Sequence, residues 1–250
     1  DNLYDNFNIE LKEPKYILNY QNDTIWCSTV LKDGRFVTGS AGKSIIIYNN
    51  KTFKPEITIK EHNKGVTNVI LLSSDILVSC SLDKTIKLYE IYRNKYKVMQ
   101  TLEYHTNYVN KIIELRNKKL VSCSQDNTII IYNKDNNKYN KEYSIETNGE
   151  NGPIIQTKDN EICYYESYDK ICFFDLIERK IINEIKNLSV TAWRYESMLM
   201  ISDDLLLITG ENKISIINVN SFNLIRIIDV SGSGMIYTAI LLNKNMILTV

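Results

Sequence analysis

Residues 76–89 read Ile-Leu-Val-Ser-Cys-Ser-Leu-Asp-Lys-Thr-Ile-Lys-Leu-Tyr, which is two apolar runs separated by a short polar turn. Both runs are rich in β-branched and aliphatic residues, and this pattern is typical of two short strands joined by a tight turn. Apolar runs on either side add one strand before the pair and one after it. The region therefore predicts four short antiparallel strands, at Val66–Leu72, Ile76–Ser81, Thr85–Tyr89 and Lys97–Leu102.

The same pattern recurs along the chain at a regular period. With one turn residue of each copy taken as equivalent, the steps between copies are 41, 43, 43 and 43 residues. Four strands in a repeat of this length are typical of a blade of a β-propeller. The sequence therefore predicts an all-β propeller of four-stranded antiparallel blades, with the equivalent turn residues Gly42, Asp83, Asp126, Asp169 and Asn212.

Two of the repeats share a further set of spaced residues, and through this set the chain resembles the WD40 repeat family. The two sets are His62, Ser81, Asp83 and Tyr89-Glu90, and His105, Ser124, Asp126 and Tyr132-Asn133. The resemblance covers roughly residues 23–250. It implies a hydrogen-bonded network of His, Ser, Asp and an aromatic residue inside a blade. Because the other three complete repeats lack the His, we expect this network in two blades at most.

The chain departs from the family pattern at the end of the third strand of each blade. None of the repeats carries the Trp of the family's Trp-Asp pair. Its position is filled by Tyr48, Tyr89, Tyr132, Phe174 and Ile217. The spacing and the apolar pattern still agree with the family, so the fold prediction does not depend on the Trp.

Blade boundaries follow from the period. We expect blades at about 23–61, 62–104, 105–148, 149–189 and 190–230, and a partial sixth blade at 231–250. Residues 1–22 form an N-terminal segment in which Tyr16–Tyr20 is expected to be an outer strand that closes the ring. The resemblance implies a seven-bladed ring, so we expect the chain to be a fragment of it.

Charge and hydropathy argue against several classes of function. The 250 residues contain 30 Lys plus Arg and 30 Asp plus Glu, so the net charge is zero. A nucleic-acid-binding protein usually carries a basic excess, and a nucleic-acid partner is therefore not expected. The chain has no apolar run long enough for a membrane span, and its first 24 residues are too polar for a signal peptide.

The five cysteines point to a reducing compartment. Their number is odd, and no pair has the spacing of a metal site. Reduced thiols are typical of the cytoplasm and nucleus, so we expect a cytoplasmic protein, with a nuclear location as the alternative. Neither a metal nor another cofactor is expected.

The sequence contains no evident set of catalytic residues. His62 and His105 occupy the same repeat phase in different blades, so they are expected to be structural and do not converge. The turn aspartates are in positions where Asp caps backbone N–H groups. The chain also lacks a nucleophile-elbow pattern and a glycine-rich phosphate loop. We therefore expect a protein that is not an enzyme.

Recognition is the remaining class of function. The resemblance implies that the top face of the propeller is lined by the residue before the turn Asp and by residues entering the first strand. Large aromatic side chains and Arg dominate binding energies at interfaces. We expect a scaffold for protein–protein interactions that binds a peptide or protein partner through Trp26, Tyr108, Asn110, Gln125, Tyr168, Arg194 and Glu196.

A reader of an anionic ligand, such as a phosphopeptide, a phosphoinositide or RNA, is the alternative. Such a site needs clustered Arg or Lys. Among the expected top-face positions, only Arg194 carries a positive charge. The interaction scaffold is therefore the favoured hypothesis.

Overall fold

The computed structural model describes residues 23–166, 170–186, 188, 198–210 and 213–229, and the backbone of 239–243 and 246–249. The described residues form strands and turns and contain no helix. The strands make five four-stranded sheets and one two-stranded sheet. Within each sheet the strands are antiparallel and follow one another in chain order.

The first three sheets are the most regular. Sheet 1 contains β1 (Ile25–Val30), β2 (Phe36–Ser40), β3 (Ile45–Tyr48) and β4 (Pro55–Ile59). Sheet 2 contains β5 (Val66–Leu71), β6 (Ile76–Ser81), β7 (Ile86–Tyr92) and β8 (Lys95–Leu102). Sheet 3 contains β9 (Val109–Glu114), β10 (Leu120–Ser124), β11 (Thr128–Asp135) and β12 (Lys138–Glu146).

The remaining sheets repeat this order. Sheet 4 contains β13 (Asn151–Lys158), β14 (Glu161–Glu166), β15 (Lys170–Asp175) and β16 (Lys180–Lys186). Sheet 5 contains β17 (Met198–Met200), β18 (Leu205–Gly210), β19 (Lys213–Asn218) and β20 (Asn223–Asp229). A hairpin of β21 (Ala239–Asn243) and β22 (Met246–Thr249) follows.

The turns between strands repeat the same backbone conformation. Lys43, Lys84 and Asn127 have φ of 70°, 76° and 62°, and each lies between the second and third strands of its sheet. A positive φ is uncommon for residues other than glycine. Its recurrence at the same position shows that these turns are built alike, although their sequences differ.

The hydrophobic core lies between the faces of consecutive sheets. Leu77 and Tyr89 of sheet 2 pack with Val37 and Ile47 of sheet 1. Similar clusters join sheets 2 and 3, sheets 3 and 4, and sheets 4 and 5. The first strands of consecutive sheets also lie side by side, β1 beside β5, β5 beside β9 and β9 beside β13. This is the arrangement of propeller blades around an axis.

Hydrogen bonds from side chains link the first strands of neighbouring blades. Thr67 Oγ1 donates to the carbonyl of Val109 over 2.6 Å. Asn110 Nδ2 donates to the carbonyl of Asn151, also over 2.6 Å. Thr67 and Asn110 are equivalent in the repeat, so the same strand position joins blade 2 to blade 3 and blade 3 to blade 4.

The two ends of the sheets define two faces. The turns between second and third strands and the connections between sheets emerge at one end, which we call the top face. The turns between first and second strands emerge at the bottom face. There Lys32 forms an ion pair with Asp75 of the next blade at 2.8 Å, and the Ser73 amide donates to Glu114 at 2.8 Å.

The predicted fold class is confirmed. The described residues form an all-β structure of four-stranded antiparallel sheets, with two strands of a sixth sheet. The expected outer strand Tyr16–Tyr20 lies outside the described residues, and the seven-bladed ring stays a prediction. The described part of the chain contains no helix with the length and hydropathy of a membrane span.

Candidate functional site on the top face

A four-residue hydrogen-bonded network lies beneath the top face of blade 3. His105 Nδ1 is 2.8 Å from Asp126 Oδ2, and His105 Nε2 is 2.7 Å from Ser122 Oγ. Ser122 Oγ is in turn 2.9 Å from the hydroxyl of Tyr132. The His, Ser and Tyr are buried. The network joins the connection before the first strand to β10 and β11, and so it fixes the top loops of the blade.

Blade 2 contains the same network at nearly the same distances. His62 Nδ1 is 2.9 Å from Asp83 Oδ2, and His62 Nε2 is 2.7 Å from Ser79 Oγ. Ser79 donates to the hydroxyl of Tyr89 at 3.3 Å. The hydrogen-bonded network that the family resemblance implies is therefore complete in blades 2 and 3, which carry the histidines.

The serine of each network is two residues earlier than the sequence predicted. Ser81 and Ser124 do not contact the histidines. Instead Ser81 Oγ donates to the carbonyl of Lys64 and accepts from the amide of Asp83, and Ser124 does the same in blade 3. Residues two apart on a strand share a face, so the sequence pattern alone could not separate the deeper serine from the shallower one.

Each network carboxylate accepts four hydrogen bonds. Asp83 accepts from His62 Nδ1 and the Asn63 amide on one oxygen, and from the Thr85 amide and hydroxyl on the other, at 2.7–3.0 Å. Burial by itself would raise the pKa of Asp83, but the hydrogen bond from His62 and those from Thr85 and Asn63 hold this pKa well below its usual range. The carboxylate is therefore ionised, with its acceptor capacity used inside the turn.

Blade 4 replaces this network with an ion pair. β14 and β15 pair Glu166 with Lys170, so the turn 166–170 has the same length as 81–85 and 124–128. By this register, Glu166 stands at the position of Ser81 and Lys170 at the position of Thr85. The Lys170 ammonium contacts the buried Glu166 carboxylate. The ion pair of Glu166 and Lys170 thus stands where blades 2 and 3 have hydrogen bonds between hydroxyl groups and Asp.

The turn residue of blade 4 that the sequence takes as equivalent to Asp83 and Asp126 is Asp169. It lies outside the described residues, and its equivalence stays a prediction.

A cluster with metal-ligand groups lies in the same blade. Within the described residues, one group of three such side chains has its potential ligand atoms within 4.8 Å of one another: Glu166, Cys172 and Glu184. Lys170 Nζ contacts Glu166 and lies 3.0 Å from Glu184 Oε1. Burial raises the pKa of the Cys172 thiol to about 12. The carboxylates of Glu166 and Glu184 already share the Lys170 ammonium, and the Cys172 thiol is protonated.

The cysteines at the repeat phase of the second strand are buried. All five cysteines are free thiols, and Cys80 and Cys123 have no exposed surface. Burial raises the pKa of Cys80 to about 12. This thiol is protonated at neutral pH and therefore a poor nucleophile.

Two predicted contact residues meet on the top face around the loop that leads into blade 2. Trp26 packs against Gly65 so closely that a side chain at position 65 would have no room. On the other side of this loop, the Lys64 ammonium lies 5.0 Å from the centre of the Tyr108 ring. Trp26 and Tyr108 are both partly exposed. We call the surface formed by Trp26, Lys64, Leu82 and Tyr108 the blade 2 patch.

The other two described contact residues are buried. Asn110 is 9% exposed, and its amide donor is used in the bond to Asn151. Gln125 is 7% exposed, and its backbone amide donates to the carbonyl of Tyr108. Gln125 Nε2 has no hydrogen-bond partner among the described residues. Both side chains are thus buried, and their role in partner binding stays a prediction.

The remaining predicted contact residues, Tyr168, Arg194 and Glu196, lie outside the described residues. Their predicted role is unchanged. The structure adds four residues that the sequence reasoning missed. They are exposed lysines in the top loops of blades 1 and 2, at positions 43, 60, 64 and 84. The sequence contained a signal for two of them, because Lys43 and Lys84 directly follow the equivalent turn residues Gly42 and Asp83.

Comparison with known families and structures agrees with this geometry. The family model described as WD domain, G-beta repeat, matches residues 53–90 and 96–133. These ranges end at Tyr89-Glu90 and Tyr132-Asn133, and they contain the complete networks. These two segments of the chain match WD40 repeats. No curated protein matches the sequence as a relative.

The WD40 assignment also holds at the level of the fold. The crystal structure of the WD40 beta propeller domain of Doa1 matches with a TM-score of 0.73 at 14% sequence identity. The match covers 89% of this chain and 74% of that one. WD40 propellers serve in general as non-enzymatic scaffolds for protein interactions.

Proposed function

We propose that this chain is a non-enzymatic interaction scaffold that binds a segment of a protein partner on its top face. The blade 2 patch carries the proposal. In it, aromatic side chains from blades 1 and 3 flank the loop of blade 2, and both remain partly exposed. Blades 1 to 3 therefore contribute to one continuous surface.

Aromatic residues at these positions can supply much of the binding energy. Trp and Tyr combine a large apolar area with a polar group, and they are enriched among the residues that dominate interfaces. A partner side chain inserted between Trp26 and Tyr108 would contact both rings and the aliphatic part of Lys64.

The frame beneath the patch is rigid. The histidine networks fix the top loops of blades 2 and 3, and the Thr67 bond to Val109 ties their first strands together. A surface that is already ordered loses little conformational entropy when a partner binds. Affinity can therefore come from a small patch.

We further propose a cytoplasmic or nuclear location. The support is that all five cysteines are free thiols, which is usual in reducing compartments. Fractionation of source cells with an antibody to the chain tests this directly. A signal confined to secreted or membrane fractions would contradict it.

Affinity capture from source-cell extract tests the proposed site. The parent chain is compared with a Trp26→Ala, Tyr108→Ala double variant, and captured proteins are identified by mass spectrometry. The matched control is Tyr92→Ala, because Tyr92 is 64% exposed at the bottom end of β7. Melting temperatures of all three proteins show whether the fold is intact.

We expect a partner that is retained by the parent and by Tyr92→Ala but lost with the double variant. Binding of the purified partner is then measured directly for each variant. If the folded double variant retains every protein that the parent retains, the proposed site is wrong. Partners lost only with Tyr92→Ala would place the site on the bottom face.

A further inference from the structure

We propose that the partner segment is acidic, and that it is an extended stretch rich in Asp and Glu that lies across the top of blades 1 and 2. This inference rests on the proposed function and assigns the chemistry of the partner. It is carried by the distribution of charged groups around the blade 2 patch.

Four lysines lie in the patch or in the loops around it. Lys43 and Lys84 lie in the turns between second and third strands, and Lys60 and Lys64 lie in the connection between sheets 1 and 2. All four are exposed. Among the described residues, none of them has a carboxylate within ion-pair distance. Lys64 instead lies over the ring of Tyr108.

The carboxylates of the same loops form no ion pair with these four lysines among the described residues. Asp83 accepts four hydrogen bonds inside its own turn. Glu61 accepts the hydroxyl of Tyr96 at 2.9 Å. Asp23 lies against Gly42, in the space where that turn would carry a side chain. The top of blades 1 and 2 therefore presents four ammonium groups and three carboxylates, and the carboxylates of Asp83 and Glu61 are hydrogen-bonded within the protein.

The positive surface ends at blade 3. The repeat positions of Lys60, Lys64 and Lys84 are occupied there by Glu103, Asn107 and Asn127. Tyr108 therefore marks one border of the lysine cluster. Trp26, which packs on the loop of Lys64 from blade 1, lies within the cluster.

Two cations at the bottom of blade 1 are paired within the chain. Lys32 is paired with Asp75 at 2.8 Å, and Arg35 is paired with Asp33 at 2.8 Å. The top-face lysines have no such partner among the described residues, so a carboxylate of another molecule can bind them.

Carboxylates along a chain fit this surface better than one phosphate group. Bidentate phosphate recognition uses the planar fork of Arg, which donates two parallel hydrogen bonds, whereas Lys acts as a point charge. The described top loops of blades 1 and 2 contain lysines and no arginine. Separate ammonium groups on several loops match separate negative charges on an extended segment.

Fluorescence anisotropy with the whole chain tests the inference. The probe is a fluorescein-labelled peptide of alternating Glu and Leu, and the reference peptide has Gln in place of Glu. The test variant is Lys43→Glu, Lys60→Glu, Lys84→Glu. The control variant makes the same charge change at the bottom face, Lys51→Glu, Lys54→Glu, Lys118→Glu, which are also exposed lysines.

We expect the parent to bind the Glu peptide and to bind the Gln peptide at least about tenfold more weakly, which is the effect of a few surface ion pairs. The affinity of the top-face variant for the Glu peptide should be lower than that of the parent by the same factor. The control variant should bind this peptide like the parent. Affinity for the Glu peptide should fall as salt is added, because exposed charges are screened.

Several results would overturn the inference. They are equal binding of both peptides, no binding of either peptide to the parent, and equal loss in the two triple variants. Competition by inorganic phosphate at concentrations where sodium chloride has no effect would assign the surface to a phosphorylated ligand. None of these outcomes changes the interpretation of the Trp26→Ala, Tyr108→Ala experiment. That double variant can therefore fail or succeed independently of the charge of the partner.

Discussion

His105 Nε2 lies 2.7 Å from Ser122 Oγ, and the serine two residues later is bound to backbone groups of the turn instead. The two serines of β10 thus have different hydrogen-bond partners. Ser122 connects the histidine to Tyr132 in the interior, whereas Ser124 closes the loop above them. This division can be measured through the coupling of each serine to the histidine.

A double-mutant cycle should separate the two serines. We expect His105→Ala and Ser122→Ala to be coupled by about 0.5–3 kcal/mol, because each variant removes the same hydrogen bond. The cycle with Ser124→Ala should give a clearly smaller coupling energy. Urea unfolding of the single and double variants provides the free energies. Equal coupling in both cycles would contradict the structural assignment.

Acid should weaken the protein through the turn aspartates. Asp126 resembles Asp83: burial opposes ionisation, but hydrogen bonds from His105 and Thr128 hold the pKa of the folded carboxyl well below its usual range. The stability that it contributes is therefore present above the unfolded pKa of about 3.9 and is lost as the pH falls towards the lower folded pKa.

The Asp126→Asn variant tests this dependence. At neutral pH it should be less stable than the parent by about 1–3 kcal/mol, since buried donors lose a charged acceptor. The difference should shrink below a pH of about 4, where the parent begins to lose the same contribution. A difference that stays constant down to pH 3 would show that this carboxyl has an ordinary pKa of about 4 in the folded state.

Sequence reasoning reached the fold because the strand pattern and the period are local signals that recur in every blade. It also found the two histidine networks. It missed which serine each histidine contacts, because this depends on strand pairing. Asn110 was assigned to the surface for a similar reason. A strand position does not reveal that the neighbouring blade supplies a carbonyl for its side chain.

Asn110 should matter for stability. Asn110→Ala removes the donor to the Asn151 carbonyl and leaves this buried acceptor without that bond. We expect a loss of about 1–3 kcal/mol in the free energy of unfolding. Binding of the partner should be unchanged for the fraction that remains folded. If Asn110→Ala has the parent's melting temperature and binds the partner more weakly, the residue contacts the partner as first predicted.

The ion pair in blade 4 should be sensitive to the loss of one partner. Lys170→Met leaves the Glu166 carboxylate buried beside a neutral side chain, and we expect a loss of about 3 kcal/mol. The double variant Glu166→Ser, Lys170→Thr carries the residues found at these positions in blade 3. It should recover part of the loss, because no buried charge remains. A double variant less stable than Lys170→Met would contradict this account.

Two Asn-Gly pairs should deamidate at different rates. Asn148 is exposed, and its side chain has no hydrogen-bond partner among the described residues. Attack of the Gly149 nitrogen on the Asn148 side-chain carbonyl releases ammonia, and water then opens the ring to a carboxylate. Asn151 is 1% exposed in β13, and its amide donates to Thr147 Oγ1 at 2.9 Å.

Peptide mapping by mass spectrometry after incubation at mildly alkaline pH follows both sites in one sample. We expect deamidation at Asn148 while Asn151 is still intact. After denaturation in urea, the two sites should react at similar rates, because only the fold distinguishes them. Faster reaction at Asn151 in the folded protein would contradict the described loop.

Four hydrophobic clusters are each shared by two consecutive sheets, so sheets 2 to 4 have no core of their own. A blade that opens exposes apolar surface on both of its neighbours, and its free energy of opening contains two interface terms. Amide protons in the inner blades should therefore exchange in concert. Damage at one interface would spread to the adjoining blades and would not stay confined to a single sheet.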